Sequence, residues 1–324
     1  MGYGCPLYRK LCSDLLYLQA EQSLNRGYST ISCSQLGSFI FAMEYRQDIT
    51  PNRRGLFIIA IDQSTSMQQA FAHHSMIVPK SQVASIIASA LIDEIVMHSG
   101  KQNNICDTCP YCDIAVLGYS NSSAYPLLGD SSYILPITYF EQQSPEVITR
   151  TFEYVRDGNH LELVTEKYRE WITPHALGTT PMAEMFALVN QIVSDWCSNP
   201  ANSDSFPPVV FNITDGYDDT NHPEETIAQA EAIKSNCTNH GNALIFNICI
   251  DSEPDTVRLT FPNADSIPDD HPAETLAATA SLLPERFYPI VAQYNPDTQP
   301  PYRAICYNST ALMIIPMLDI IDKI

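Results

Sequence analysis

The stretch "FIIAIDQSTSM", Phe57 to Met67, passes from five apolar residues directly into Asp62, Gln63, Ser64, Thr65 and Ser66. A short unbroken apolar run bounded by polar residues reads as a strand buried on both faces, the kind a parallel sheet uses when helices cover it on either side. A carboxylate and two hydroxyls in alternate positions at the exit of such a strand suit three roles: a nucleophile, a helix cap or a seat for a cation.

Runs of the same type recur along the chain: "LFIIAI" (56–61), "IAVLGY" (114–119), "PVVFNIT" (208–214), "ALIFNICI" (243–250) and "RAICYN" (303–308). Between them lie segments of helical period. "SQVASIIASALIDEIV" puts Val83, Ile86, Ile87, Ala90, Leu91 and Ile95 on one face. "PMAEMFALVNQIVSDW" begins at Pro181 behind Thr180, which reads as a threonine N-cap with proline at the first helical position. "PEETIAQAEAIKSNC" begins at Pro223 with acids in its first turn, "AETLAATASLL" covers 273–283, and a last helix falls near 311–323. Strand and helix in alternation predict an α/β fold with a doubly wound, mostly parallel central sheet flanked by helices. The segment 120–175 is long for a plain crossover. It is expected to hold an edge strand ("SYILPI"), a helix ("PEVITRTFEYVRDG") and a further strand ("LELVTEKY"). Residues 1–42 carry no clear periodicity and are read as an N-terminal extension to a domain spanning 43–324.

The charge balance narrows the function. With 37 Asp and Glu against 17 Lys and Arg, the formal net charge is −20. Nucleic-acid backbones and anionic membranes both require surplus cations, so neither is an expected partner. The start "MGYGCPLYRK" lacks the apolar stretch of a secretory signal. The longest apolar run, "ALMIIPML" from Ala311, is too short to span a bilayer. Asn212 heads a glycosylation sequon but lies inside a predicted buried strand. Together these readings point to a reducing cytoplasm with most thiols unpaired.

In a doubly wound sheet, ligands bind outside the carboxyl ends of the strands. Three oxygen-rich loops fall at such ends or at neighbouring helix starts: Asp62, Ser64 and Ser66 after the first strand, Thr179 and Thr180 in "HALGTTPM", and Asp215 in "VVFNITDG". Two carboxylates with hydroxyls form a hard-oxygen set suited to Mg²⁺, and unsuited to zinc, which favours Cys and His.

Taken together, "DQSTS", "GTTP" and "ITDG" resemble the von Willebrand factor A (VWA) domain, whose metal-ion-dependent adhesion site is built from three such loops in this order. The resemblance runs from about Met43 to the C-terminus. Later stretches such as "SDSFPPVVFNITDG", "ASLLPERF" and "LMIIPMLDII" look like a bacterial intracellular branch of that family. It implies that Ser64 and Ser66 bind the metal through their hydroxyls, and that Asp62 and Asp215 bind directly or through water. The "G-T-P" context points to Thr180 over Thr179. The resemblance further implies Mg²⁺, with Mn²⁺ or Ca²⁺ as alternatives, and a protein partner that donates a carboxylate to the metal. Partner classes it suggests are a Ser/Thr kinase, a metal-dependent phosphatase or an AAA+ ATPase, in a stress, signalling or defence system. An assembly protein with a vestigial metal site, and a metal-dependent hydrolase, are the alternatives.

Other chemistry-bearing residues weigh less. Asp218, Asp219 and Glu184 read as solvated loop and helix-start charge. A serine nucleophile would need a base, and no histidine stands in a motif beside Ser64 or Ser66, although His175 and His222 lie near the metal loops. "CDTCPYC" sets Cys106, Cys109 and Cys112 at spacings suited to zinc or redox chemistry, but a fourth ligand is not evident, so unliganded thiols or one local disulfide are the plainer reading. Tyr119, Ser120 and Tyr125 are expected at the rim of the site and not as ligands.

Overall fold

The apolar run that opens the sequence forms β1 (Gly55–Asp62), and all its residues are buried. The computed structural model describes residues 45–73, 76–102, 111–129, 132–156, 160–216, 223–250, 258–268, 271–308 and 315–324. The extension at 1–42, together with Cys106 and Cys109, lies outside them. After β1 come a short hairpin, β2 (Ala70–His73) with β3 (Met76–Pro79), and the long helix α1 (Lys80–Gln102). Then follow β4 (Cys112–Ser120), the short edge strands β5 (Ser123–Pro126) and β6 (Leu135–Pro136), and α2 (Ile137–Glu141). A second hairpin, β7 (Glu146–Arg156) with β8 (His160–Glu170), precedes α3 (Met182–Ser198), β9 (Val209–Thr214) and α4 (Pro223–Ser235). The remainder comprises β10 (Cys237–Thr238), β11 (Gly241–Asn242), β12 (Leu244–Cys249), β13 (Leu259–Thr260), α5 (His271–Thr279), α6 (Tyr288–Tyr294), β14 (Ile305–Tyr307) and α7 (Ile315–Ile321).

The main sheet runs β13-β14-β12-β9-β1-β4-β5, with β6 also paired to β4. The five inner strands, β14 to β4, are parallel, and the pairings of β13, β5 and β6 at the edges are antiparallel. This is the doubly wound, mostly parallel α/β sheet that the sequence predicts. Alternation along each strand feeds two cores. Phe57, Ile59 and Ile61 pack on the side of α1, α6 and α7, while Leu56, Ile58 and Ala60 pack on the side of α3, α4 and α5. Among the described residues no helix is long and apolar enough to cross a membrane. Asn212 is fully buried and bonded to Tyr119 and Asn247 inside the sheet, which bears out its reading as a strand residue.

Two expectations are corrected. The predicted helix at 145–158 is instead β7, paired antiparallel with β8 along its whole length. Val147, Ile148, Thr149, Thr151 and Val155 are β-branched, and stiff side chains of that kind favour extended backbone. The hairpin is tied to α1, where Ser89 Oγ accepts from Trp171 N (3.1 Å) and Asp93 Oδ1 accepts from Trp171 Nε1 (2.6 Å). The predicted apolar face of α1 is also turned. Val83, Ile87, Leu91 and Ile95 are buried as expected, but Ala84, Ala88 and Ile92 join them, whereas Ile86 and Ala90 are only half-buried.

Candidate metal centre

The chain moves from β1 to β4 on one side, then returns across β1 to β9 on the other. The direction of winding therefore reverses between β1 and β9, and a crevice opens at their carboxyl ends. Asp62 closes β1, and Asp215 follows Thr214 at the end of β9.

Asp62 has no exposed surface. Its Oδ1 accepts from the Ser64 backbone N–H (2.8 Å) and its Oδ2 from the Thr214 hydroxyl (2.8 Å), which in turn accepts from Gly216 N (3.1 Å). The first of these bonds is an Asx-type turn, and it fixes the direction in which the chain leaves β1. Ser64 and Ser66 then bring their hydroxyls to 2.9 Å from each other.

The loop 176–180 is stitched onto this turn. Leu177 N donates to Gln63 O (2.7 Å), Thr65 N donates to Gly178 O (2.8 Å), and Gly178 N donates to Thr65 Oγ1 (2.8 Å). Gly178 has φ of +99°, and a Cβ there would fall 2.0 Å from Asn121 Oδ1, so only glycine suits the position. The outcome is that Thr180 is buried and Thr179 exposed. Helix α3 begins at Met182 with Pro181 at its N-cap, one residue later than the threonine cap predicted. Thr180 therefore precedes the cap.

Two buried acids face each other at this end of the sheet. Burial, and then the charge of Asp215, push the Asp62 carboxyl up to about 7, although hydrogen bonds from Ser64 and Thr214 oppose the rise. Asp215 is 2% exposed, and its Oδ2 lies 3.3 Å from Lys80 Nζ. Its other oxygen, Oδ1, is buried without a hydrogen-bond partner among the described residues. An orphaned buried carboxylate oxygen is costly unless something positive meets it. Among the described residues no three His, Cys, Asp or Glu gather, so a cation in this crevice would rest on the two aspartates and neighbouring hydroxyls. That donor set fits a hard, oxygen-seeking ion such as Mg²⁺.

Asp62 and Asp215 thus lie within electrostatic reach of each other at the carboxyl ends of β1 and β9, Ser64 and Ser66 follow in the turn that Asp62 anchors, and the stitched loop leads into buried Thr180. Asp218, Asp219 and His222 fall outside the described residues. Glu184 is exposed in the first turn of α3. Cys112 does not face solvent; it is buried in the apolar core at the start of β4. Tyr125 reaches the site through its neighbour, donating to Gln63 Oε1 (2.7 Å), while Ser120 Oγ lies 3.2 Å from the Tyr125 hydroxyl. A cleft beside the crevice is lined by Gln63, Tyr125, Leu127, Trp171, Thr173 and His175.

Sequence reasoning missed two residues here. Thr214 stood inside the quoted "ITDG" and carried no separate signal. Lys80 carried one: a lone cation at the first position of a helix opposes the helix dipole, so it needs a specific partner.

Among known proteins, no family model matches the chain, and no curated protein does. Solved structures do. A von Willebrand factor type A protein from Catenulispora acidiphila is similar over 62% of this chain and 35% of its own, at 15% identity and a TM-score of 0.34. Manganese-loaded TRAP protein of Plasmodium vivax is similar over 63% of this chain and 60% of its own, at 14% identity and a TM-score of 0.32. Proximal thread matrix protein 1 from the mussel byssus is similar over 85% of this chain and 46% of its own, at 12% identity and a TM-score of 0.37. The chain thus spans less than two thirds of each of these proteins.

Proposed function

We propose that this chain is a VWA domain that holds one divalent cation, Mg²⁺ before Mn²⁺ or Ca²⁺, and uses it to dock an acidic residue of a protein partner. The observation that carries this reading is the pair of buried aspartates at the switch point, with Asp215 Oδ1 left unpartnered among the described residues and two serine hydroxyls alongside. Asp62, Ser64, Ser66, Thr180 and Asp215 would hold the ion. A bound dication supplies a local positive charge on an otherwise acidic molecule, to which a carboxylate can be drawn.

The chain's own residues prepare the site. Ser64 N and Thr214 orient Asp62, and the stitched loop sets Thr180. We read the role as binding, with Ser64 and Ser66, whose hydroxyls lie 2.9 Å apart, as metal ligands and not nucleophiles. A cytoplasmic setting, and a partner drawn from kinase, phosphatase or ATPase assemblies, belong to the same proposal.

The test is metal analysis and Mg²⁺ titration calorimetry on wild type, Asp62→Asn and Ser64→Ala, with affinity capture of partners in parallel. Asp62→Asn is the cleaner probe, since Asp215→Ala would strand the buried Lys80 ammonium. Wild type is expected to bind about one ion and both variants to lose it, together with partner capture, while keeping their fold by circular dichroism. Capture that survives both substitutions and EDTA would defeat the reading.

A further inference from the structure

Lys80 occupies the first position of α1, yet it is 1% exposed. A cation there gains nothing from the helix, whose N-terminus already carries partial positive charge, and burial of an ammonium is costly unless it is paired. Its position is set by the hairpin β2–β3, which returns the chain so that Lys80 N donates to Gln69 O (3.0 Å). From that anchor its Nζ reaches Gln69 Oε1 (3.1 Å) and Asp215 Oδ2 (3.3 Å). The two oxygens of Asp215 therefore divide: Oδ2 faces a protein cation, and Oδ1 is the buried atom without a partner among the described residues.

We infer that Lys80 is a built-in counter-cation of the metal centre, one that holds the fold together in the metal-free protein and weakens divalent-ion binding so that the ion exchanges. The inference rests on the metal-binding reading above. With both aspartates ionised, the state that binds a cation, two carboxylates and one ammonium leave the site one negative charge. A dication turns this into one positive charge, which an incoming carboxylate can neutralise. Without Lys80 the same site would start at two negative charges and end neutral. It would grip the metal harder and attract an anion less. Lys80 thus trades metal affinity for attraction of the partner. Its contribution is charge, since any hydrogen-bond donor could orient Asp215 Oδ2.

The test compares wild type with Lys80→Met and Lys80→Gln by Mg²⁺ titration calorimetry and by melting in EDTA and in saturating Mg²⁺. Gln restores a donor to Asp215 without restoring charge. Both variants are expected to bind Mg²⁺ roughly tenfold or more tightly than wild type, because a like charge a few ångströms from the ion is removed. Both should also melt lower in EDTA and recover toward wild type in Mg²⁺, so a variant that folds poorly without metal remains measurable with it. Variants that bind Mg²⁺ no more tightly than wild type would overturn the inference alone, as would wild-type affinity in Lys80→Gln with a change only in Lys80→Met. If wild type and both variants take up no divalent ion, the metal-binding reading falls and this inference falls with it.

Discussion

At the scale of single residues, charge buried without full compensation separates the two ends of the sheet. Asp62 and Asp215 sit together at the carboxyl end and repel each other. Asp113, at the start of β4, lies at the opposite end beside Arg54. Burial raises its carboxyl above the ordinary carboxylate range, and hydrogen bonds and charge from Arg54 and Trp196 only partly offset this. A carboxyl raised in the folded protein contributes stability that is fully present below its unfolded pKa and is lost as pH rises through the folded value. Asp113→Asn should therefore flatten the pH dependence of urea unfolding just above about pH 4, where an unperturbed carboxylate titrates. A slope identical to wild type would show that Arg54 compensates the charge fully. The same contrast explains why the proposed site residues stand out in the sequence while their partners do not. Asp62, Ser64, Ser66 and Asp215 lie in short local patterns, whereas the bond from Lys80 to Asp215 spans 135 residues.

At the scale of elements, periodicity located the strands well and the faces of helices less well. The five inner strands of the sheet fall on the five apolar runs, because burial on both faces demands unbroken apolar sequence. In α1 the apolar residues wrap much of the helix, and a sequence stripe through Ile86 and Ala90 competes with one through Ala84 and Ala88. Packing under β1 and beside the hairpin selects the second. Ile87→Ala should accordingly cost about 2–5 kcal/mol, as in other buried Ile truncations, while half-buried Ile86→Ala should cost about 1 kcal/mol. Urea midpoints at constant m-value would measure both, and equal losses would contradict the observed rotation of the helix. Residues 145–158 failed for a related reason. Eleven residues of mixed β-branched, aromatic and charged character satisfy helical and extended periods alike, and the antiparallel partner at 160–170 decided between them.

At the scale of the whole molecule, the reversal of winding between β1 and β9 brings loops distant in sequence to one crevice. An ion bound across them would couple β1, β9 and the loop before α3, and would stabilise the folded chain by mass action. At Mg²⁺ a hundredfold above its dissociation constant this amounts to about 2.7 kcal/mol. In a domain of this size the melting temperature would rise by roughly 5 °C. Differential scanning calorimetry should show the rise in wild type, its removal by EDTA and its absence in Asp62→Asn. Melting indifferent to Mg²⁺ in wild type would argue for the vestigial alternative.

Sequence alone determines the class of this fold and most of its proposed ligand set. Buried parallel strands leave apolar runs, and loops at strand ends leave compact polar clusters such as "DQSTS" and "ITDG". Tertiary structure alone decides that Thr180 turns inward while Thr179 faces out, that Thr214 steadies Asp62, and that Lys80 compensates Asp215. Each of these depends on where a distant backbone delivers a side chain. Local pattern carries burial and period, but the meeting of charges across a hundred residues is settled only when the sheet is assembled.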